Sequence, residues 1–187
     1  MDVGDFLSCR SERLPSAKHK PPSRSGQPYD PEKPLPCCAM PQPQAPAIRP
    51  ASGLGDCRTQ RNLSEEGRAQ SRAIGDRFRA NGISSAAVYS SQWCRCLDTA
   101  RLLGIGEIVP LDLLNSFFGD SSAGEERTAA LLAWLRWQRF GGPAVLVTHQ
   151  VNITGLTGEV PDSGEMIIVR IHEADPVQVI GHVAAPA

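Results

Sequence analysis

The sequence predicts an α/β fold with a mostly parallel central sheet flanked by helices. Short apolar runs alternate with amphipathic segments from about residue 53 to the end of the 187-residue chain. Two of these runs lead directly into polar residues and a helix start, which is where open α/β sheets place ligand sites. The length suits one domain with an appendage.

The N-terminal segment, residues 1 to about 52, differs from everything after it. It holds most of the 16 prolines and all of the lysines. The stretch from Pro34 to Pro46 has no helical or strand period, so the segment is predicted to be a disordered Pro-rich tail. A second explanation is that it is not native to the domain and reflects an altered reading frame, a wrong start or a gene fusion. The predicted division is a tail over 1–52 and a domain over 53–187.

The first helix of the domain is predicted to begin after Leu63. Ser64 is a good N-cap, Glu65 and Glu66 suit the positive end of the helix dipole, and Asn81-Gly82 is a stop signal. The remaining elements follow in order: strand Ala86–Ser90, helix Trp93–Leu103, strand Glu107–Leu111, helix Glu125–Phe140, strand Ala144–Val147, a short helix after Gln150, and closing strands Met166–His172 and Val177–His182 around a Glu-Ala-Asp-Pro turn.

The composition excludes several classes of protein. The net charge of −1 gives no signal for nucleic acid or a membrane surface, and no stretch approaches the length of a membrane-spanning helix. The six cysteines include no C-x-x-C pair, so reduced thiols are predicted and a zinc site is not. The N-terminus lacks the apolar region of a signal peptide, and a cytoplasmic location is therefore the expectation.

Two predicted strand ends carry complementary polar groups. Arg95 lies one turn into the helix that follows Ser90-Ser91, and His149 follows the strand that ends at Val147. The planar fork of Arg matches phosphate, and His can donate to a phosphoryl oxygen. Together with Asn152, at the start of the next helix, they predict a phosphoryl-binding site in which Arg95 and His149 are also the candidate catalytic residues. No metal is predicted.

Three segments carry a resemblance to a known family: Gln60 to Gln70, Ser90 to Arg101, and Val147 to Gln150. In combination they resemble the histidine phosphatase superfamily, the phosphoglycerate-mutase-like proteins that include small phosphohistidine phosphatases. The resemblance covers residues from about 54 to 183. It implies a phosphoglycerate-mutase-like sandwich with no metal and no organic cofactor, and a phosphate pocket to which Arg95 and His149 contribute.

The family's first motif has no counterpart in the chain. The resemblance implies an Arg-His-Gly motif after the first strand, whose His becomes phosphorylated. His19 has no strand before it, and Ala47-Ile-Arg49-Pro50 has Pro where the nucleophile would stand. The first strand is therefore predicted to be missing or replaced. Asp120 and Glu125 lie in the region expected for an acidic proton donor.

Two functions follow from this pattern. The first is a histidine-phosphatase-family protein whose complete relatives hydrolyse a phosphate monoester or phosphohistidine through a phosphohistidine intermediate, with activity impaired here by the missing nucleophile. The second is a non-catalytic phosphate-binding or protein-interaction module. The expected partner is a phosphorylated small molecule or a phosphoprotein, with no nucleic acid and no membrane. His172 and His182 are predicted to be structural.

Overall fold

The computed structural model describes residues 36–38, 53–119, 121–172 and 176–186. One mixed sheet has strand order β3-β2-β4-β1-β5-β6, in which β5 alone runs antiparallel to the other five strands. The strands are β1 (Pro36–Cys38), β2 (Ala87–Ser90), β3 (Ile108–Pro110), β4 (Ala144–Val147), β5 (Met166–Arg170) and β6 (Gln178–Val183), and the helices are α1 (Glu65–Ala80), α2 (Cys94–Leu103), α3 (Gly124–Trp137) and α4 (Gln150–Thr157). The predicted α/β fold is confirmed.

Helices cover both faces of the sheet because β4 is apolar on both. Successive side chains of a strand point to opposite faces. Leu146 packs in the cluster that contains Leu131 and Leu135 of α3, while Val145 packs in the cluster that contains Ile74 of α1. All four residues of β4 are buried, as expected for a central parallel strand.

The first strand is not missing, because β1 occupies the centre of the sheet, and the alternative that its sequence is replaced stays a prediction. It pairs in parallel with β4, where Cys37 is opposite Leu146, and antiparallel with β5, where Cys37 is opposite Ile167. The strand lies inside the stretch that was predicted to be a disordered tail. Without it, β4 and β5 would each expose a row of buried backbone donors and acceptors, so an extended segment between them stabilises the sheet. Pro36 stands at the first position, where proline is tolerated.

The end of α3 differs from the prediction, and the packing of α1 against the end of α2 depends on a glycine. The α3 helix ends at Trp137, and Phe140 instead packs edge-to-face on Tyr89 with ring centroids 5.5 Å apart. On the other face, a Cβ at Gly75 would collide with the carbonyl of Leu103, so this glycine lets α1 approach the end of α2. The predicted turn at 173–176 lies mostly outside the described residues.

The prediction of reduced thiols is wrong for two of the cysteines. Cys57 and Cys94 form a disulfide, with Cα atoms 5.6 Å apart, and Cys96 is a buried thiol that is not part of it. Spacing along the sequence gave no hint of this pair, because the fold rather than the local motif brings the two residues together. Within the described ranges, no helix has the length and apolarity needed to cross a membrane, and no group of three or more His, Cys, Asp and Glu residues could hold a metal ion.

Candidate functional site

The candidate site lies where β2 and β4 end side by side. These parallel strands pair Ser90 with Val147, and the Ser91 amide donates to the Val147 carbonyl at 2.9 Å. Each strand leads into a helix, so Arg95 of α2 and His149 before α4 start from the same edge of the sheet. This is the ligand-binding edge expected for an open α/β sheet.

Arg95 and His149 meet at this edge, as predicted. Nη2 of Arg95 lies 2.9 Å from Nδ1 of His149. The guanidinium of Arg95 also stacks over Trp93, with 5.3 Å between Cζ and the ring centroid. His149 is only 3% exposed, whereas Arg95 is partly exposed and can reach a ligand from solvent.

The other ring nitrogen of His149 is held by a chain of hydrogen bonds. Because a guanidinium can only donate, Nδ1 of His149 is the acceptor and the neutral ring carries its proton on Nε2. Nε2 lies 2.8 Å from Oγ of Ser91 and therefore donates to it. The Ser91 hydroxyl then donates to Oδ1 of Asn115 at 2.9 Å. One consistent set of donors and acceptors thus fixes the tautomer and the orientation of the ring.

Burial controls the charges of this cluster. Burial, reinforced by the positive charge of Arg95, lowers the pKa of His149 to about 3, so the ring is neutral at pH 7. Burial also raises the pKa of the Cys96 thiol to about 12, although its sulfur lies 3.6 Å from Nε2 of His149. Cys96 is therefore a protonated, inert thiol, and Arg95 supplies the positive charge at the centre of the site.

A second arginine lies near Arg95, and a hydrogen bond and a disulfide hold the start of its helix. The pKa of Arg95 is lowered first by burial and also by the positive charge of nearby Arg61, so two arginines share this region. The start of α2 is held by Gln60, whose Oε1 accepts from the Cys94 amide at 2.8 Å, and by the Cys57–Cys94 disulfide. These contacts fix the helix turn from which Arg95 projects.

Asn152, which the sequence suggested as a substrate contact, is buried and hydrogen-bonded within the protein. Its buried amide nitrogen donates to the Leu114 carbonyl at 2.8 Å, the Asn115 carbonyl at 3.2 Å and Oγ1 of Thr148 at 2.7 Å. We therefore assign Asn152 to positioning the loop that carries Asn115.

Glu125, one of the two candidate proton donors, lines an open groove of about 720 Å³ beside Gln150. Phe117, Phe118 and Val160 line the same groove and make it largely apolar. Gln150 directly follows His149, so the groove adjoins the edge of the sheet that carries Arg95 and His149. Asp120, the other candidate donor, lies outside the described residues.

The remaining histidines stand apart from the site. His182 pairs with Glu165 at 3.0 Å on the exposed side of β6, and the carbonyl of His172 accepts a hydrogen bond from Arg136 at 3.2 Å. His19 and the Arg49–Pro50 pair lie outside the described residues.

Sequence reasoning missed Ser91, Asn115 and Arg61 as parts of the site. Ser91 follows a strand in the same way as His149, and this position was the signal that could have found it. Asn115 reaches the site from an irregular segment after β3, where no periodicity indicates which residue turns inward.

A sequence profile of one known family matches part of the chain. Residues 50–117 match the family profile of the histidine phosphatase superfamily (branch 1). No curated protein sequence is similar enough to count as a match.

Several solved structures share the fold. The protein histidine phosphatase SixA complexed with tungstate has 18% identity and a TM-score of 0.56, over 80% of this chain and 97% of its own. Phosphoglycerate mutase from Thermus thermophilus has 18% identity and a TM-score of 0.53, over 81% of this chain and 99% of its own. A phosphoserine phosphatase mutant from Entamoeba histolytica in complex with phosphoserine has 15% identity and a TM-score of 0.57, over 80% of this chain and 95% of its own. At these identities the likeness shows the fold alone.

Proposed function

We propose that the site binds the phosphoryl group of a phosphate monoester or of phosphohistidine. Two findings support this proposal. Residues 50–117 carry the sequence pattern of the histidine phosphatase superfamily, and the chain has the phosphoglycerate-mutase-like fold. The observation that carries the proposal is the contact between Nη2 of Arg95 and Nδ1 of His149 at the shared end of β2 and β4. A planar cationic fork beside a buried imidazole suits a tetrahedral oxyanion.

Binding an anion would reverse the electrostatics of His149. In the free site the ring is neutral because it is buried and Arg95 is cationic. A phosphoryl oxygen placed between the two side chains accepts from Arg95 and brings negative charge next to the ring, which favours the imidazolium. Both side chains then donate to the ligand. The partners proposed on this basis are phosphorylated small molecules or phosphoproteins.

Likeness to known complexes supports an oxyanion as the ligand. The SixA structure contains tungstate, and the phosphoserine phosphatase mutant contains phosphoserine. Tungstate is a tetrahedral oxyanion like phosphate. We carry over only this chemistry, the binding of a tetrahedral oxyanion, to the present chain.

Turnover by the chain as it stands is proposed to be at background. In complete relatives a histidine attacks phosphorus, and the sequence gives this chain only four histidines, none of which follows an arginine. His149 has its Nδ1 bonded to Arg95 and its Nε2 bonded to Ser91, so it is placed to stabilise charge rather than to attack. A non-catalytic phosphate-binding or protein-interaction module is therefore the second candidate. It is favoured because Arg95 and His149, the half-site, are in contact while a nucleophile is lacking.

The location of the protein in the cell also stays a proposal. The sequence favoured a cytoplasmic protein, whereas the Cys57–Cys94 disulfide points to an oxidising compartment, since disulfides are rare in the cytosol. Alkylation of free thiols in freshly lysed cells, followed by mass spectrometry of Cys57 and Cys94, separates the two. Labelled cysteines indicate a reducing compartment, and unlabelled ones indicate an oxidising compartment.

Phosphate titration followed by NMR tests the proposed binding. We expect saturable amide shifts around Ser91–Cys96 and Thr148–Asn152, with a dissociation constant on the order of millimolar, or about −4 kcal/mol. Arg101→Ala is the matched control, because Arg101 lies on the same helix but pairs with Asp98 at 2.8 Å. It should leave binding unchanged, whereas Arg95→Ala should abolish it. No saturable shifts in the unsubstituted chain would overturn the proposal.

An assay with a generic aryl phosphate tests the proposed lack of turnover. We expect a rate at background, because loss of the nucleophile closes the route through a covalent intermediate. Robust hydrolysis that His149→Ala abolishes would show that the chain already has a working catalytic residue.

A further inference from the structure

The register of β1 against β4 relates His149 to one position in the sequence after β1. In the parallel pair of β1 and β4, Cys38 is opposite Val147, and His149 lies two residues after Val147. The same count from Cys38 reaches Met40. A methionine thioether cannot form a stable bond to phosphorus in the way an imidazole nitrogen can. The register therefore identifies one sequence position at which a histidine would complete the site.

The strand before this position is also unusual for its place. A strand paired on both sides in a buried parallel sheet is normally a run of Val, Ile and Leu, as β4 is. Here the strand is Pro36-Cys37-Cys38, and proline lacks the amide that a central ladder uses. The surrounding segment also differs in composition from the domain, because it is rich in proline and holds all the lysines. Both anomalies belong to the segment for which an altered reading frame is one explanation.

The genetic code allows this explanation to be tested on the amino acids themselves. Proline is encoded by CCN and cysteine by TGT or TGC. Reading from the third nucleotide of each codon, Pro36 and Cys37 give NTG, which encodes Leu, Met or Val. Cys37 and Cys38 give TTG or CTG, and both encode Leu. Positions 37 and 38 of β1 are thus taken by apolar residues, whichever codons the gene uses.

The next codons of the same frame carry the chemistry. Cys38 and Ala39 give TGC or CGC, so the codon encodes Arg when the Cys38 codon ends in C. Ala39 and Met40 give NAT, which encodes His when the Ala39 codon ends in C. Met40 and Pro41 give GCC, which encodes Ala. Two third-position nucleotides therefore decide whether the Leu codon of this frame is followed by Arg-His-Ala.

This result is specific to one frame. No choice of codons places a stop in it between Pro36 and Ile48. In the remaining frame, Met40 and Pro41 always give TGC, a cysteine codon, and Arg cannot precede His anywhere between Leu35 and Pro41. The frame that can encode Arg-His also places the histidine codon on Met40, the position that the register of β1 and β4 identifies.

We propose that the gene of this protein encodes an apolar strand followed by Arg-His-Ala in the frame that starts at the third nucleotide of these codons, and that the histidine of this frame is the nucleophile that completes the site. The inference rests on the proposed function, because it assigns the nucleophile of the same phosphoryl site. The frame must return to the present one before Gln60, since the pattern of the domain is intact from there.

The reaction of the completed site balances without a cofactor. An imidazole nitrogen of the new histidine forms a bond to phosphorus while the ester P–O bond breaks, and the departing oxygen takes a proton from an acidic side chain or water. Water then attacks phosphorus, the N–P bond breaks, and inorganic phosphate leaves with the histidine restored. Arg95 and His149 stabilise the charge on the phosphoryl oxygens in both steps.

Nucleotide sequencing of the coding region tests the frame alone. We expect the Cys38 codon to be TGC and the Ala39 codon to be GCC. Any other codon at either position overturns the inference, because the frame read from the third nucleotide of each codon would then lack Arg or His. This test is independent of phosphate binding, so it can fail while the proposed function stands.

A protein variant tests the assigned nucleophile. The variant combines Cys37→Leu, Cys38→Leu, Ala39→Arg, Met40→His and Pro41→Ala in the full chain. A longer variant replaces residues 37–47 by the sequence that the gene encodes when it is read from the third nucleotide of each codon. We expect hydrolysis of an aryl phosphate at least a hundredfold above the unsubstituted chain. The matched control keeps Met40 and carries the other four changes, and it should stay at background.

The outcomes of the two tests separate the two proposals. Folding of each variant is checked by circular dichroism, and a phosphoramidate signal in phosphorus NMR, present only with Met40→His, identifies the intermediate. Confirmed codons with folded variants of both lengths that stay inactive would reject the assigned nucleophile while leaving phosphate binding intact. Activity that is equal with and without Met40→His would place the nucleophile elsewhere and overturn the assignment.

Discussion

Asn115 accepts the hydroxyl proton of Ser91 at 2.9 Å, which leaves the Ser91 oxygen to accept from Nε2 of His149. Asn115 lies in the segment after β3, and its side chain is also paired in both directions with Gln92. Asn115 thus supports, through Ser91, the same tautomer of His149 that the Arg95 donor requires.

Asn115→Leu should release this control. Without the acceptor, the Ser91 hydroxyl could donate only if the proton of His149 moved from Nε2 to Nδ1, where it would oppose the Arg95 donor. We therefore expect the nitrogen-15 shifts of His149 to keep the Nε2–H pattern and the free energy of unfolding to fall by about 1–3 kcal/mol for the unpaired buried groups. Gln92→Ala removes the other side-chain partner of Asn115 but keeps the acceptor of Ser91, and it is the control. A shift of the proton to Nδ1 in Asn115→Leu would contradict the assignment of the tautomer to Arg95.

Arg95→Lys should weaken phosphate binding less than Arg95→Ala does. Lysine keeps the charge but loses the planar fork and the stacking on Trp93, so we expect about a tenfold rise in the dissociation constant, or roughly 1.4 kcal/mol. Isothermal calorimetry or NMR titration at constant ionic strength measures it. Equal affinities for the lysine variant and the unsubstituted chain would show that only charge matters.

Acid should destabilise the domain through His149. The folded-state pKa is lowered to about 3, while the unfolded chain has a value near 6.5, so between these values the unfolded state binds more protons. The stability from the neutral ring is complete above pH 6.5 and is lost as the pH falls. At pH 5 the loss is about 2 kcal/mol.

Urea unfolding at pH 7 and pH 5 measures this loss. His149→Gln lacks the titrating group and serves as the control, so its stability should fall by about 2 kcal/mol less than that of the unsubstituted chain between the two pH values. Parallel pH dependence in the two proteins would mean that His149 titrates normally.

Reduction of the Cys57–Cys94 disulfide should lower the thermal stability. The bond closes a loop with a sequence separation of 37, for which loop-closure entropy corresponds to about 3–4 kcal/mol. Thermal unfolding with and without a phosphine reductant measures the effect. Cys57→Ser should unfold at the lower temperature under both conditions, and a reductant effect that persists in this variant would assign it to another group.

The fold and half of the site could be predicted from the sequence because their signals are local. The run Ala144–Val147 is a buried strand by composition, and Arg95 and His149 each follow a strand within one helical turn. The other features depend on long-range contacts. Asn115 enters from a segment without periodicity, Cys57 and Cys94 pair across 37 residues, and Pro36–Cys38 forms a strand because two buried edges flank it rather than because its residues favour one.

The central position of β1 has a consequence for how the chain folds. Its partners are far away in sequence, since Cys37 pairs with Leu146 and with Ile167, whereas the partners within β2, β3 and β4 are closer together in the chain. Contacts of such long separation form late, because the entropy of closing the loop must be overcome first. On a ribosome, the segment made first would wait until nearly the whole chain has emerged. We therefore expect the β2–β4 half to collapse early, and the insertion of β1 between β4 and β5 to be the slow step that locks the sheet.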